Sequence, residues 1–279
     1  MFEGQRVWIT GASAGIGRAL ALEYAAGGAR VAVSARRVDR LNELVAEIEA
    51  SGGEALAVAC DVADEEQVRL AADAAAERFG GLDVAVANAG FGVTGRVEKL
   101  GAADWRRQMD VNVVGVALTA RYALTHLYRS RGRLALVSSV AAMIPAPGAS
   151  AYAASKAAVR AIGQALSLEL RGSGVSCTTL YPGFVDSEIR AVDNDGVYHP
   201  DRAEQVPEWL RWRTDRAARV MARAIQRRER HYVFTGHGKI AGFAGRHWPA
   251  LVHRLMSSVS RPPLRRSTAP PDARGKPAG

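Results

Sequence analysis

The sequence predicts a single α/β domain in which helices cover both faces of a parallel sheet. Short runs rich in valine, isoleucine and alanine alternate with longer helical patterns from the first residues onward, as in repeated strand–helix–strand units. Glycines such as Gly27 and the pair Gly80-Gly81 stop helices just before the next strand. The 279 residues are 48% hydrophobic and 23% charged, which is typical of a globular protein and excludes collagen, coiled-coil and wholly disordered chains.

Seven strands and six connecting helices follow from this alternation. The strands are predicted at Arg6–Thr10, Arg30–Ala35, Glu54–Cys60, Leu82–Ala87, Gly132–Ser138, Val175–Tyr181 and His231–Thr235. The helices are predicted at Gly15–Gly27, Asp39–Ala50, Glu65–Phe79, Ala102–Tyr128, Ala151–Arg171 and Asp215–Arg228. Because crossovers between parallel strands are right-handed, a doubly wound sheet results, with its ligand crevice at the carboxyl ends of the strands.

The formal net charge of +9 is concentrated in the last quarter of the chain. Residues 1–200 contain 20 Lys and Arg against 22 Asp and Glu, whereas residues 201–279 contain 17 against 6. That quarter has no basic recognition helix, zinc-ligand spacing or aromatic-basic RNA motif, so nucleic acid is not expected as a partner. An anionic membrane surface is the better candidate.

The few cysteines and the uncharged stretches bear on the compartment. Cys60 and Cys177 lie in apolar, strand-like contexts and are expected to be buried free thiols, which suits a reducing compartment such as the cytoplasm. The pattern of the first residues is not that expected of an export leader. The uncharged stretch 134–155 contains two prolines and is not expected to span a membrane. Histidines fall at no spacing typical of a metal site, so no metal is predicted.

A glycine-rich turn joins the first strand to the first helix. It consists of Thr10, Gly11, Ala12, Ser13, Ala14, Gly15, Ile16 and Gly17. Glycines there let the backbone approach a pyrophosphate, which then lies on the amide groups at the helix N-terminus. The alternative is a tight turn that holds no ligand.

The end of the second strand favours NADP(H) over NAD(H). Arg36 and Arg37 stand where an NAD-binding crevice presents an acidic residue to the ribose 2′-hydroxyl. A guanidinium offers a planar charged fork that matches a 2′-phosphate. The alternative is that both arginines are solvated residues at a helix start.

Two further strand ends supply candidate cofactor contacts. Asp61 and Val62 follow the third strand, where the carboxylate either holds the adenine end of a dinucleotide or caps the next helix. Asn88, Ala89 and Gly90 follow the fourth strand; such small residues allow close approach of a flat cofactor, although a simple turn has the same composition.

The candidate chemistry lies in Ser139, Tyr152 and Lys156. Positions i and i+4 share one face of a helix, so the Lys156 ammonium is expected beside the Tyr152 phenol, where it favours the phenolate needed for proton transfer. Ser139, at the end of the fifth strand, is placed to donate a hydrogen bond to the same substrate oxygen. By itself, the tyrosine–lysine spacing also occurs in surface pairs.

Taken together, these motifs resemble the short-chain dehydrogenase/reductase family over about residues 5–236, which implies a Rossmann-type domain. The resemblance rests on residues in family order and spacing: Thr10, Gly11, Gly15, Gly17, Asp61, Asn88, Ala89, Gly90, Asn112, Ser139, Tyr152, Lys156, Pro182 and Gly183. It implies that Tyr152 is the general acid and base, that Lys156 holds the nicotinamide ribose, and that Ser139 orients the carbonyl. It further implies that Asn112 fixes a water that relays protons to Lys156.

The resemblance also implies the remaining contacts and the assembly. Pro182, Gly183 and Val185 would lie against the nicotinamide, with Ser187 where a threonine is more usual. Arg36 matches the phosphate-binding arginine of NADPH-dependent relatives, although Ala14 stands where some of them have a basic residue. Pairing through the predicted long helices at 102–128 and 151–171 would give a homodimer or homotetramer.

Three segments complete the predicted organisation. Residues 186–214, within a catalytic domain at 1–238, lack a clear period and are interpreted as a substrate lid. An amphipathic extension at 239–260 either packs on the protein or on a second subunit, or makes peripheral membrane contact through residues 246–266. The proline- and arginine-rich tail 261–279 is expected to be disordered.

The leading function hypothesis is an NADPH-dependent oxidoreductase that transfers hydride between nicotinamide and a lipophilic ketone or aldehyde, or a secondary alcohol in reverse. The alternatives are a membrane-associated ketoreductase of a lipid pathway and a non-catalytic nucleotide-binding scaffold on the same fold.

Overall fold

The computed structural model describes residues 1–188, 193–194, 197–199, 201 and 206–259. The strands are β1 (Arg6–Thr10), β2 (Arg30–Ala35), β3 (Glu54–Ala59), β4 (Val84–Ala87), β5 (Arg133–Val137), β6 (Ser176–Tyr181) and β7 (His231–Val233). The helices are α1 (Gly15–Ala26), α2 (Val38–Ala50), α3 (Glu65–Phe79), α4 (Ala102–Met109), α5 (Gly115–Ser130), α6 (Ser150–Glu169), α7 (Thr214–Gln226), α8 (Gly236–His247) and α9 (Pro249–Val259).

The seven strands form one parallel sheet in the order β3-β2-β1-β4-β5-β6-β7. The chain reverses its direction of travel across the sheet between β1 and β4, so their carboxyl ends flank the crevice expected for a doubly wound fold. The predicted fold class is therefore confirmed, and each predicted strand is present to within two residues at either end.

Helices pack on both faces of the sheet and bury them. Alternate side chains of one strand point to opposite faces and so enter different cores. Val7 and Ile9 pack under α1, α2 and α7, whereas Trp8 between them packs under α3 and α5. All three side chains are fully buried. Each helical layer thus supplies one core, and the strand ends between the two cores are held in fixed positions.

The helix predicted over Ala102–Tyr128 is not continuous. A π-helical segment, Asp110–Val114, separates α4 from α5. The apolar period runs through all three pieces, so the wider turn is invisible in the pattern. Single π turns inside α-helices are frequent at functional sites, and Asn112 lies in the middle of this one.

The chain beyond β7 contains one helix more than was predicted. The amphipathic pattern around Leu251 corresponds to α9, but α8 precedes it, and the domain boundary drawn at Gly238 falls inside α8. No helix among the described residues is long and apolar enough to cross a bilayer. The tail 261–279 lies outside the described residues, as do parts of the predicted lid.

Candidate active site

The glycine-rich turn forms a cradle that side chains would fill. Gly11 has φ +67°, and a Cβ on it would lie 2.6 Å from Ala89 Cα. A Cβ on Gly17 would lie 2.5 Å from Asn88 Nδ2 and closer still to the Gly11 carbonyl oxygen. The amide of Ala12 donates to the Ser34 carbonyl over 3.2 Å, which ties the turn to β2. Glycine is therefore required at Gly11 and Gly17 by the close approach of the β4 loop.

The first turn of α1 is prepared for an anion. Ala14 occupies the N-cap position without a side-chain hydrogen bond, and no acidic residue lies in the first turn. The first amides of a helix have no intrahelical acceptor and carry the positive end of its dipole. Gly15, with φ +54°, begins the helix, and Ile16 packs against the core. The residues present fit a dinucleotide pyrophosphate.

Thr10 and Asn88 join the cradle to the end of β4. The Thr10 hydroxyl donates to the Val86 carbonyl over 3.3 Å and accepts from the amides of Asn88 and Ala89 at 3.2 and 3.3 Å. The Asn88 side-chain amide donates to the carbonyls of Thr10 and Gly11 at 3.0 and 3.2 Å. Both side chains are thus committed to holding two strand ends together, and the 88–90 loop is more than a simple turn.

The two arginines after β2 differ in their surroundings. The Arg37 guanidinium donates to Ser13 Oγ at 3.1 Å and pairs with Glu188 at 2.9 Å, with 38% of its side chain exposed. The Arg36 side chain is 63% exposed and lies 4.0 Å from Asp61. Arg37 therefore reaches the cradle, while Arg36 stands at its rim.

The alternatives for Asp61 are resolved in part. Asp64, rather than Asp61, caps α3, since its carboxylate accepts from the Gln67 amide over 3.1 Å. The Asp61 carboxylate accepts from the Ala63 amide at 3.1 Å and faces Arg36. Val62 is buried, and a Cβ on Gly115 would lie 2.7 Å from its Cγ2. Asp61 therefore remains available at the strand end for an adenosine group.

Tyr152 and Lys156 lie on the same side of α6, one turn apart. The Lys156 ammonium lies 5.8 Å from the centroid of the Tyr152 ring and donates to the Val137 carbonyl over 3.0 Å. A Cβ on Gly90 would lie 3.4 Å from the same ammonium, and one on Gly92 would lie 3.5 Å from the Tyr152 ring. The loop after β4 therefore connects the glycine cradle to this pair.

Burial makes the charge on Lys156 costly. The side chain is almost wholly inaccessible, and desolvation lowers its pKa from 10.5 to about 8. A hydroxyl or phenolate brought close to this ammonium recovers part of that cost. The site thus holds a cation that lacks a carboxylate partner among the described ion pairs.

Ser139 is the second residue beyond the end of β5. Its hydroxyl donates to the Pro182 carbonyl over a long 3.4 Å and accepts from the Ala141 amide at 3.2 Å. The neighbouring Ser138 hydroxyl donates to the Lys156 carbonyl over 2.8 Å, which fixes this strand end against α6. The weak bond to Pro182 is one that a substrate oxygen could readily replace.

Asn112 is fully buried in the π-helical segment and braces the loop over the site. Its Oδ1 accepts from the Phe91 amide at 3.0 Å, and its Nδ2 donates to the Phe91 carbonyl at 2.9 Å and to Ser155 Oγ at 3.1 Å. A Cβ on Gly90 would lie 3.1 Å from Asn112 Oδ1, close to Lys156. The side chain of Asn112 thus makes three of the four hydrogen bonds available to it, all with the loop and α6.

The turn after β6 closes the crevice from the other side. A Cβ on Gly183 would lie 2.5 Å from His237 Nε2, the atom that accepts from the Phe184 amide at 3.2 Å. Val185 bridges to Trp212, and Ser187 lies beside Gly15, where a Cβ would be 3.2 Å from Ser187 Cβ. This segment therefore reaches from α8 back to the glycine cradle.

Sequence reasoning missed several residues that shape the site. His237 positions the turn after β6, and burial lowers its pKa. Gln108 supports the loop over Tyr152, because its Oε1 accepts from the Val93 amide at 2.6 Å and its Nε2 donates to the Phe91 carbonyl at 3.0 Å. Neither residue stands at a motif position, so only its contacts in the structure identify it as part of the site.

The two lid tryptophans do not meet at the site. Trp212 packs against Phe234 in the core, whereas Trp209 is 81% exposed. A groove of about 670 Å³ runs along the outer side of α1 to residues 186–188, and its lining includes Gly15 but not Ser139, Tyr152 or Lys156. The chemistry is therefore assigned to the crevice at the strand ends and not to this groove.

The family model for short chain dehydrogenases matches residues 5–197. The chain belongs to the short-chain dehydrogenase/reductase family. This short-chain dehydrogenase is an oxidoreductase, and the family match spans the cradle, the π-helical segment and the Tyr152–Lys156 pair.

Relatives and solved structures agree with this assignment. The chain is 35% identical to 11-beta-hydroxysteroid dehydrogenase A of Sesamum indicum over 240 residues, or 82% of this chain and 67% of that one. A short chain dehydrogenase from Burkholderia cenocepacia J2315, solved in complex with NADP, has a TM-score of 0.73 at 33% identity and covers 82% of this chain and 95% of its own. A short chain dehydrogenase/reductase from Burkholderia phymatum, in complex with NAD, has a TM-score of 0.78 at 29% identity over 91% and 96%.

Proposed function

We propose that the protein is an NADP(H)-dependent reductase that converts a lipophilic ketone or aldehyde into an alcohol and catalyses the reverse reaction as well. The observation that carries the proposal is the 88–92 loop, which touches the glycine cradle at Gly11 and the catalytic candidates at Lys156 and Tyr152. A nucleotide held by the cradle would therefore end beside the phenol. Solved relatives in complex with NADP and with NAD support a nicotinamide cofactor.

The contacts to the cofactor are assigned residue by residue. The cradle and the amides of α1 hold the pyrophosphate, Asp61 and Val62 the adenosine end, and the segment Pro182–Ser187 the nicotinamide end. Arg37 and Ser13, already joined by a 3.1 Å hydrogen bond, hold the 2′-phosphate, with Arg36 as the second cation. No carboxylate stands directly after β2, which supports NADP(H) over NAD(H).

Arginine variants test this preference. Arg37→Ala and Arg36→Ala are each expected to weaken NADPH binding about 10- to 100-fold, because each removes a charge-assisted bond to the phosphate. NADH binding, measured by the same fluorescence titration, should change little. A parallel loss for both nucleotides, or tighter binding of NADH in the native protein, contradicts the assignment.

The proposed chemistry uses one proton and one hydride. A bound reduced nicotinamide would supply the hydride chemistry at the carbonyl carbon. Tyr152 donates its phenolic proton to the carbonyl oxygen. Ser139 donates a hydrogen bond to the same oxygen, and the Lys156 ammonium stabilises the phenolate that remains. Asn112 keeps the loop over the site in place, next to Lys156, where a water could pass protons onward.

Tyr152→Phe removes the proton donor and retains the ring over Gly92. Turnover is expected to fall about 10²- to 10⁴-fold, the usual share of a general acid, while the NADPH dissociation constant stays within a few-fold. Tyr128→Phe, at an exposed tyrosine of α5, serves as the matched control and should retain full activity. Undiminished turnover by Tyr152→Phe rejects the mechanism. A native protein that binds NADPH but reduces nothing would instead favour the scaffold alternative.

The lipophilic substrate class rests on similarity and on the predicted lid. A relative is named a hydroxysteroid dehydrogenase, and the irregular segment 186–214 is the proposed lid over the site. Asn194 in this segment exchanges two 3.0 Å hydrogen bonds with the backbone of Thr94, in the loop that follows Gly92. A panel of steroids, long-chain 3-keto compounds and aromatic aldehydes, followed by the absorbance of NADPH, would identify the class. Short polar ketones are assayed beside the panel, and faster reduction of these than of every panel compound would contradict the lipophilic class.

Assembly and compartment remain part of the proposal. We expect a homodimer or homotetramer through α4–α5 and α6, to be checked by light scattering. A reducing compartment such as the cytoplasm suits Cys60 and Cys177, since both thiols are buried and burial raises the pKa of each to about 12.

A further inference from the structure

The helices after β7 pack on the catalytic loop through one face of α8. Gly238, Gly242 and Gly245 recur along α8 at the spacing of a single helical face. A Cβ on Gly242 would lie 2.9 Å from Met143 Sδ, and one on Gly245 would lie 2.7 Å from the Met143 carbonyl oxygen. The glycine face therefore lies flat against the segment that follows Ser139.

The opposite side of α8 is apolar and exposed. At about 3.6 residues per turn, Ile240 and Phe243 point away from the glycines, and they are 75% and 56% exposed. Trp248 meets the Phe243 ring edge-on at 5.5 Å and, with Leu251, extends the apolar surface into α9. Monomeric proteins rarely leave such a group of large apolar side chains in water. Ile240, Phe243, Trp248 and Leu251 are called the α8–α9 face below.

The described side chains of α9 pack little on the rest of the protein. It has 11 residues, and of those whose side chains are described only Val252 is partly buried. Helices of this length are marginal in water unless they pack on something else. A partner that covers the α8–α9 face would supply the missing contacts.

The charge around the α8–α9 face identifies the partner. Between Glu229 and Asp272 the sequence contains no acidic residue and seven Lys and Arg. Lys239, Arg246 and Arg254 are exposed on α8 and α9 themselves. In a symmetric dimer this face would meet its own copy, so cations would oppose cations. An anionic lipid surface satisfies both the apolar group and the charge.

We propose that the α8–α9 face binds the surface of an anionic bilayer, with both helices lying in the interface. The catalytic loop at Met143 lies directly behind α8, so bound enzyme holds its active site close to the membrane. The binding itself does not depend on the reductase proposed above.

Vesicle co-sedimentation of the full chain tests the proposal. The probes are vesicles of phosphatidylcholine alone and of phosphatidylcholine with about one third phosphatidylserine. Native protein is expected to sediment with the anionic vesicles, to be released by high salt, and to bind the neutral vesicles only weakly. The double variant Phe243→Ser, Trp248→Ser should lower the fraction bound to anionic vesicles about fivefold or more. The double variant Arg246→Glu, Arg254→Glu should bind the anionic vesicles less and leave the weak binding to neutral vesicles unchanged.

Controls separate this result from misfolding and from self-association. Leu70→Ser changes an exposed apolar side chain on α3 and should bind like the native protein. NADPH titration shows whether the Phe243→Ser, Trp248→Ser variant is folded, and light scattering reports its oligomeric state. The proposal would be overturned if the native protein did not bind anionic vesicles, or if the Phe243→Ser, Trp248→Ser variant bound them as well as the native protein does. It would also be overturned if this variant were a monomer where the native protein is a dimer. None of these readouts uses turnover.

Discussion

The buried cation at the candidate active site should be measurable in the stability of the protein. Lys156 loses its water on folding, which lowers its pKa from 10.5 to about 8. Between those values the unfolded chain binds more protons than the folded one, so the free energy of unfolding rises with pH. Below pH 8 the folded protein bears the full cost of the buried charge, and above pH 10.5 it bears none.

The size of this effect follows from the fall in pKa. From 10.5 to about 8, at about 1.4 kcal/mol for each pKa unit, the cost is about 3 kcal/mol. Lys156→Met removes the charge and keeps most of the side-chain volume. The variant also loses the hydrogen bond to the Val137 carbonyl, which lowers its stability both below and above the pKa of Lys156. The pH dependence of the difference therefore isolates the charge.

Urea unfolding, followed by tryptophan fluorescence, provides the assay without cofactor. The stability of the native protein minus that of Lys156→Met should rise by about 3 kcal/mol from below pH 8 to pH 10.5. Because the phenol of Tyr152 is nearby, the comparison is repeated on a Tyr152→Phe background. Lys99→Met, at an exposed lysine, is the control and should give a constant difference. A constant difference for Lys156→Met as well would refute the argument.

Three further predictions concern the cradle and its supports. Gly17→Ala should abolish NADPH binding in a fluorescence titration, since its Cβ would lie 2.5 Å from the side-chain nitrogen of Asn88. The control Gly236→Ala, in the open first turn of α8, should bind NADPH normally. Glu188→Gln frees Arg37 from a 2.9 Å ion pair and should tighten NADPH binding about tenfold, with no gain for NADH in parallel titrations; equal gains would show that Glu188 acts elsewhere. Asn112→Ala strips the partners from a buried amide and carbonyl and should lower the free energy of unfolding by about 3 kcal/mol in urea; native stability would mean that water replaces its bonds.

Helix α8 shows where local sequence rules were insufficient. Its twelve residues contain Gly236, Gly238, Gly242 and Gly245, and each interior glycine costs a helix about 1 kcal/mol relative to alanine. The sequence pattern predicted an amphipathic extension over residues 239–260 but no separate helix here. The helix forms because those glycines let its backbone lie against Met143 and Ile144, a contact between segments about a hundred residues apart.

The π-helical segment and the Arg37–Glu188 pair likewise depend on contacts between distant segments. Asn112 is one more polar residue in a helical pattern, and only its bonds to Phe91 and Ser155 explain its burial. Glu188 lies 151 positions from Arg37 in a segment without a period, so no local pattern could pair them.

The sequence by itself determined the seven strands, the alternation of helices and the candidate positions at the strand ends. Alternation of period and the placement of glycine are local properties, and parallel strands bring their carboxyl ends to one edge whatever the details of packing. Only the tertiary structure decided which side chains form hydrogen bonds and ion pairs with one another. The bonds of Asn112, the choice of Asp64 over Asp61 as helix cap and the burial of Lys156 depend on contacts between distant segments, which no periodicity along the chain encodes.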